Sequence, residues 1–326
     1  MQLVMVHDLS TPDFGAAPRE LYAAALDMTA WADEVGFDVI ALGEHHGSPD
    51  GYDPSPIVTA TAMAARTCRV EIRTSVLLAP LYDPVKLAED LAVASIFSGG
   101  RLVAGMGAGY RPAEYAAFGQ RLEERWELMG EIVDFLRRAW TGEPCEWRGR
   151  PVRVTPVPDP PPKLVLGGAF PRSARRAAHI ADGWLPREPS LWPPYREECI
   201  RLGQPDPGPY PAQGPVFLYV CHDPDAAWRR IAPHALRMAE IYGSWQDEAP
   251  GQGRGPYAGP PGEAALRDSA YRVMRPEEVL ELAESLGPDG VLYSTPLLCG
   301  LDPDFAWEGL RVFEREVLPH LPGRSV

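Results

Sequence analysis

The sequence predicts an α/β protein, and specifically a (β/α)8 barrel, in which eight parallel strands alternate with helices. Short apolar, β-branched segments recur along the chain, amphipathic helical segments separate them, and no change of composition marks a domain boundary. A doubly wound sheet is the competing arrangement, but it would need a point where the strand order reverses and usually has fewer strands. We therefore expect one barrel domain over residues 1–326.

The first half of the chain contains four strand–helix units. Leu21, Ala25 and Met28 recur at helical spacing in the first helix, and two glycines, Gly99 and Gly100, end the third helix. The strands are predicted at 3–6, 37–42, 70–78 and 101–105, and the helices at 18–35, 54–66, 84–97 and 121–140.

The second half resumes the alternation, with two interruptions. Strands are predicted at 163–166, 183–185, 216–221 and 290–293, and helices at 172–181, 191–201, 226–242, 276–286 and 305–317. An insertion at about 141–162, rich in proline, follows the fourth unit and predicts a loop or a small hairpin. A second insertion, at about 243–270, follows the seventh unit. Its first part, 243–261, is dense in glycine and proline and predicts a mobile segment, which we interpret as a lid.

Composition narrows the classes of partner. A net charge of −14 argues against nucleic acid or an anionic membrane as the main partner. No run of about 18 apolar residues predicts a membrane span, and the N-terminus lacks the features of a signal peptide, so we expect a cytoplasmic protein. The five cysteines show no metal-ligand spacing, which predicts reduced thiols and no metal site.

The segment 37–47, FDVIALGEHHG, is the strongest functional signal. Its first six residues predict a buried parallel strand. Glu44, His45 and His46 then fall in the loop after the strand, and barrel enzymes carry their chemistry on such loops. Histidine suits proton transfer because its ordinary pKa lies near neutral pH.

Two glycine-rich stretches follow other strands. The first, GMGAG at 105–109, does not have the GxGxxG spacing of a dinucleotide site. The second, Gly167-Gly168-Ala169-Phe170, precedes a predicted helix, where backbone N–H groups and the helix dipole favour a phosphate.

Several motifs in this order resemble one family, the bacterial luciferase-like flavin-dependent oxidoreductases, or luciferase-like monooxygenases. The motifs are GFDVIALGEHH, DPVKLAEDLAVASIFSGGRLVAGMGAGY with the following EYAAFG, PPKLVLGG, AAHIADGW and VFEREVLPHL. The resemblance runs along most of the chain. It implies a (β/α)8 barrel, a flavin at the rim where the strands end, and usually a homodimer built on the helices after strands two and three.

The resemblance also assigns residues near the flavin ring. His45 matches the catalytic histidine, and Glu44 matches a glutamate beside the ring, so both are expected to be catalytic, with the alternative that Glu44 only orients a histidine. His46 is expected to be structural. Ser75 and Val76 match the positions where the family often has a non-prolyl cis peptide under the ring.

The same resemblance implies the rest of the cofactor site. The turn containing Gly107 and Ala108 lines the cofactor pocket in the family. Relatives commonly have hydroxyl residues after the glycine pair of the phosphate loop, whereas this chain has Ala169 and Phe170. We expect either that Ser173 or Arg172 substitutes for them or that the phosphate is held weakly.

The function that the resemblance implies is oxygenation of a small organic substrate by O2 and reduced FMN, which a separate flavin reductase supplies. One alternative is hydride transfer with a deazaflavin coenzyme, and another is a flavin-binding protein without catalytic activity. Four aromatic residues either line an apolar pocket or serve ordinary packing: Tyr82, Tyr110, Trp184 and Trp245.

Overall fold

Parallel strands alternate with helices along the chain. The structure, a computed structural model, describes residues 1–248 and 255–321. Two compact units divide the chain, and we name them by their place in the sequence. The end unit holds Met1–Ala41, Ser48–Asp53 and Pro211–Val326, and the middle unit holds Leu42–Gly47 and Pro54–Tyr210.

The strands and helices have the following bounds. The strands are β1 Gln2–His7, β2 Val39–Leu42, β3 Glu71–Thr74, β4 Leu102–Met106, β5 Cys145–Trp147, β6 Arg150–Val152, β7 Lys163–Gly168, β8 Gly183–Pro186, β9 Phe217–Val220, β10 Tyr271–Met274 and β11 Val291–Ser294. The helices are α1 Pro18–Val35, α2 Pro56–Ala64, α3 Pro84–Ser98, α4 Pro112–Ala117, α5 Arg125–Ala139, α6 Pro171–Ile180, α7 Trp192–Arg201, α8 Pro224–Asp247, α9 Glu263–Asp268, α10 Pro276–Leu286 and α11 Pro303–Val312.

The end unit contains two sets of parallel strands. β1 pairs with β11, with Gln2 opposite Val291, and β9 pairs with β10, with Phe217 opposite Tyr271. An apolar cluster forms against β9 and β10, and buried Trp228 of α8 belongs to it. These strands give the unit its core.

The middle unit contains the parallel strands β3, β4, β7 and β8 in that order. Ala104 of β4 lies opposite Leu164 of β7, and Val165 of β7 lies opposite Gly183 of β8. All five residues of β4 are buried, as expected for a parallel strand that is covered on both faces. β5 and β6 form a separate antiparallel hairpin.

Many of the prolines begin helices. Pro84, Pro224 and Pro303 each occupy the first position of a helix, where the missing N–H costs no intrahelical bond. An aspartate precedes each of them, and its carboxylate accepts hydrogen bonds from the backbone N–H groups of the first turn. The proline-rich composition is therefore used to fix helix starts.

The α/β class is confirmed, and each of the eight predicted strands coincides with an observed strand. The predicted strand 70–78 was too long, because β3 ends at Thr74 and its pairing is interrupted at the Ser75–Val76 peptide, which is cis, before Leu77 pairs once more with Met106. The stretch 141–162 contains the β5–β6 hairpin, one of the two forms predicted for it.

The second predicted insertion needs correction. The helix α8 runs on to Asp247, although the segment predicted to be mobile began at 243. The stretch up to 270 also contains α9, and the short strand β10 follows it, and neither was predicted. Residues 249–254 of the predicted lid lie outside the described part of the chain.

Candidate active site

The strand β2 leads into the loop that carries the predicted catalytic residues. Its four residues are buried, and Glu44 and His45 remain buried after the strand has ended, with 2% and 9% of their surface exposed. Ionisable side chains in such surroundings need polar partners. The middle unit supplies these partners.

Glu44 is held by three donors. Its Oε2 accepts a hydrogen bond from the backbone N–H of Leu78 at 2.6 Å. Its Oε1 accepts from the Tyr82 hydroxyl at 2.8 Å and lies 2.7 Å from Nε2 of His46. Glu44 therefore orients His46 and connects the end of β2 with the chain that follows β3.

His45 has a carboxylate of its own. Its Nδ1 lies 2.8 Å from Oε1 of Glu114, a fully buried residue in the first turn of α4. The same oxygen accepts from the backbone N–H of His46 at 3.0 Å, and Arg111 Nη1 lies 3.4 Å from it. The imidazole is thus fixed through one nitrogen.

The charge on Glu114 decides which nitrogen of His45 can act as a base. Burial raises the pKa of Glu114, but the hydrogen bond and charge of His45, the N–H of His46 and the charge of Arg111 together outweigh it and hold the pKa below its ordinary value. A carboxylate at this position requires a proton on Nδ1 of His45. In the neutral ring the lone pair is then on Nε2.

Aromatic rings flank both histidines. Tyr110 meets His45 edge-on, with 6.0 Å between ring centroids, and Phe118 meets His46 in the same manner at 4.5 Å. We call residues 43–47 the histidine loop. Two of the four aromatic residues singled out in the sequence contact it, because Tyr82 donates to Glu44 and the Tyr110 ring meets His45.

The predicted cis peptide between Ser75 and Val76 is confirmed. Glycines surround the Val76 side chain: a Cβ on Gly107 would lie 2.4 Å from Val76 Cγ2, and a Cβ on Gly167 would lie 2.8 Å from Val76 Cγ1. Both distances are too short for any side chain. The structure thus brings together four of the predicted cofactor-binding residues: Ser75, Val76, Gly107 and Gly167. The carbonyl of the neighbouring Ala108 accepts a hydrogen bond from the Tyr115 hydroxyl.

The phosphate loop 167–170 leads into α6. A Cβ on Gly168 would lie 2.6 Å from the Trp184 ring, so packing requires this glycine as well. No side chain caps the start of α6 at Phe170. The Ser173 hydroxyl donates to the Phe170 carbonyl at 3.0 Å, and Arg172 lies over the Phe170 ring. An anion at this helix start would therefore be held by backbone N–H groups, because the only nearby hydroxyl singled out in the sequence already serves the backbone.

Two polar residues at the end of β1 in the end unit have structural partners. His7 Nε2 lies 2.8 Å from the Thr29 hydroxyl, and burial lowers the pKa of His7 to about 3. Asp8 accepts hydrogen bonds from Ser10 and from the backbone N–H of Cys299, and burial raises its pKa. We assign neither residue to the active site.

Sequence reasoning missed Glu114 and Arg111. Both follow the predicted fourth strand, and Glu114 begins the EYAAFG motif, but no role was assigned to it. A useful signal was present, namely an acidic residue in the first turn of a helix that starts at Pro112 on the predicted rim. Among the described residues no group of histidine, cysteine, aspartate or glutamate is arranged to hold a metal ion, and no described helix has the length and hydropathy to cross a bilayer.

Residues 3–298 match the family described as luciferase-like monooxygenase. The chain belongs to this family.

One curated relative of the chain is named as an F420-dependent enzyme. The chain is 29% identical, over 188 residues, to an F420-dependent glucose-6-phosphate dehydrogenase of Amycolatopsis mediterranei, a match that covers 54% of this chain and 55% of that protein. The chain thus spans about half the length of the curated relatives it matches.

Solved structures of the luciferase-like group share the fold along the whole chain. The monooxygenase RslO1 from Streptomyces bottropensis has a TM-score of 0.74 at 24% identity, and the alignment covers 98% of this chain and 99% of that chain. The oxygenating constituent of 3,6-diketocamphane monooxygenase from Pseudomonas putida, in complex with FMN, has a TM-score of 0.74 at 18% identity with the same coverage.

Proposed function

We propose that this luciferase-like protein is a monooxygenase that uses reduced FMN and O2 to oxygenate a small organic substrate. The observation that carries the proposal is the pair of carboxylate–imidazole contacts, Glu114 with His45 and Glu44 with His46, in the loop after β2. We further propose that the strands close into the (β/α)8 barrel expected from the sequence. The fold shared with two monooxygenases supports both statements.

The residues around Val76 fit a flavin-type cofactor. Gly107 and Gly167 let the Val76 side chain pack directly on backbone, and the start of α6 has no side-chain cap that would compete for an anion. We propose that Ser75, Val76, Gly107 and Ala108 hold the ring, with Glu44 nearby. We propose that the loop 167–170 holds the phosphate, with Ser173 supporting the loop.

The chemistry needs a positioned proton carrier. Bound reduced FMN supplies two electrons, so that one oxygen atom of O2 enters the substrate and the other leaves as water. His45 takes or gives a proton at Nε2 while Glu114 keeps the proton on Nδ1, and such a positioned base contributes on the order of 10²–10⁴ in rate. Glu44 acts indirectly in this scheme, because it fixes His46 and the backbone N–H of Leu78.

We also propose two partners for this reaction. A separate flavin reductase supplies the reduced FMN, and a second copy of the chain forms a homodimer on α2 and α3. Three apolar side chains on these two helices are exposed, and they support the dimer: Val58, Ile96 and Phe97.

A second candidate is hydride transfer between an alcohol and a deazaflavin. The similarity to an F420-dependent dehydrogenase favours it. In that reaction His45 would accept the proton of the substrate hydroxyl at Nε2 while the hydride moves to the coenzyme. The pair of His45 and Glu114 therefore serves both candidate reactions, and the identity of the cofactor distinguishes them.

Cofactor titration is the decisive experiment. The protein is titrated anaerobically with reduced FMN and, separately, with F420, and binding is followed by fluorescence and calorimetry. We expect reduced FMN to bind more tightly than F420. Tighter binding of F420, with reduction of the coenzyme by an alcohol, would replace the first candidate by the second, and binding of neither cofactor would reject both.

The role of His45 is tested with a panel of small ketones, aldehydes and aromatic substrates under isotopically labelled O2, with a flavin reductase present. We expect label in a product, and we expect His45→Gln to lower kcat roughly 10²-fold or more. The matched control is His179→Gln, since His179 is a half-exposed residue that pairs with Glu198. Cofactor binding without incorporation of label by any substrate would favour a non-catalytic flavin-binding protein.

A further inference from the structure

The chain beyond the histidine loop is anchored in the end unit at Asp50. Asp50 follows His46 by four residues and is 8% exposed. Its carboxylate accepts two hydrogen bonds from Arg237 of α8, from Nε to Oδ2 at 2.7 Å and from Nη2 to Oδ1 at 2.9 Å. A two-point contact between guanidinium and carboxylate fixes orientation as well as distance.

The backbone of Asp50 is held from a second direction. Its carbonyl accepts hydrogen bonds from the backbone N–H of Thr11 at 2.6 Å and from the Thr11 hydroxyl at 3.2 Å. Both the main chain and the side chain of this one residue are therefore fixed. A solvent-exposed loop would need neither contact.

Tyr52 extends the same anchor. Its hydroxyl lies 2.7 Å from the hydroxyl of Tyr242, and its ring meets those of Tyr242 and Trp245 edge-on at 6.5 and 6.1 Å. Arg237, Tyr242 and Trp245 all belong to the C-terminal half of α8. One helix thus holds the segment 48–53 by an ion pair, a hydrogen bond and ring packing.

Arg237 carries the positive charge that its ion pair with Asp50 requires. Its hydrogen bonds to Asp50 and Glu240 raise its pKa above the ordinary arginine value. Glu240 accepts from Nη1 at 2.8 Å and is mostly exposed. The two carboxylates differ in burial, so the contact with Asp50 is the stronger restraint.

We propose that Arg237 is a positioning residue for the reaction of this protein. It acts through the peptide chain, because by clamping Asp50 it limits the excursions of the short backbone segment that ends the histidine loop. This inference rests on the proposed function of His45. Small displacements of a catalytic group have large effects on rate, so a clamp a few residues away can be important although it touches neither substrate nor cofactor.

Hydrogen exchange tests the clamp independently of turnover. We expect Arg237→Gln to raise amide exchange in the peptides covering 43–53 about tenfold, with exchange elsewhere unchanged. Glu240→Gln is the matched control, since it removes the other partner of Arg237, and it should leave the peptides 43–53 as in the wild type. Unchanged exchange in these peptides, or a rise spread evenly along the chain, would overturn the clamp.

Kinetics tests the link to the reaction. We expect Arg237→Gln to lower kcat about tenfold with KM for the substrate within about twofold, and Arg237→Lys to restore part of the rate. An unchanged kcat in a variant with faster local exchange would overturn the positioning role. Should Arg237→Gln fail to fold, Asp50→Asn serves the same measurements. A protein that binds no flavin-type cofactor would refute the proposed function, while the exchange result would still report on the clamp.

Discussion

At the residue scale, each of the two adjacent histidines has a separate carboxylate. Glu44 lies two residues before His46, so the sequence alone allows their contact to be proposed. The family resemblance nevertheless assigns the role of catalytic histidine to His45. Glu114 is 69 residues from His45 along the chain, and nothing in one sequence links residues at that distance. Hence His45 could be predicted from the sequence, whereas its pairing with Glu114 could not.

The depressed pKa of Glu114 leads to a prediction about acid stability. A carboxyl whose pKa is lower in the folded than in the unfolded state binds fewer protons when folded, so stability rises with pH between the two values. The contribution of Glu114 is therefore present above the unfolded value of about 4.5 and is lost as the pH falls through the folded value. We expect Glu114→Gln to weaken the dependence of the free energy of unfolding on pH in this range.

Urea unfolding at several pH values between about 3 and 7 measures this dependence. The control is Glu123→Gln, which changes an exposed glutamate close by in sequence and should keep the wild-type slope. Equal slopes for Glu114→Gln and the wild type would contradict the assignment of a buried, ionised Glu114.

At the scale of elements, the Val76 side chain, which follows β3, packs against the backbone at the ends of β4 and β7. The sequence shows the glycines of GMGAG and LGG, and the spacing within GMGAG argues against a dinucleotide site. It does not show their physical reason, which is the close approach of the Val76 side chain to Gly107 and Gly167. In a similar way β3 was predicted too long, because its apolar pattern continues through Val76 to Leu78, whereas the continuous pairing ends at Thr74 and only Leu77 pairs again.

This packing predicts a compensating pair of substitutions. Gly107→Ala places a methyl group 2.4 Å from Val76 Cγ2, and we expect it to lower the free energy of unfolding by about 1–3 kcal/mol, as overpacking does. Val76→Ala removes the Cγ atoms, so the double variant should recover part of that loss. A double-mutant cycle by urea unfolding gives the coupling, and strictly additive effects would contradict the contact.

At the scale of the whole molecule, the proposed dimer depends on α2 and α3. Phe97 is 59% exposed and Ile96 is 48% exposed, both near the end of α3. Single apolar residues on a surface are ordinary, but neighbouring ones on packed helices indicate a contact surface. We expect Phe97→Asp to weaken self-association about a hundredfold, since a charge replaces an aromatic side chain that the proposed dimer would bury.

Sedimentation over a range of protein concentrations measures the association. Ile200→Asp provides the control, because Ile200 is 52% exposed on α7 and lies outside the proposed surface. A wild-type protein that sediments as a monomer, or a Phe97→Asp variant that dimerises like the wild type, would refute the surface.

The aspartate–proline pairs at 83–84, 223–224 and 302–303 have a consequence for how such a chain can change over evolutionary time. Proline disfavours helical geometry in the residue before it, so a helix that begins there cannot grow backwards into the preceding connection. Added, deleted or rewritten residues upstream leave the register of that helix where it was. Sequence variation is thereby confined to the connecting segments, and new substrate preferences can arise there without changes in the positions of the helices.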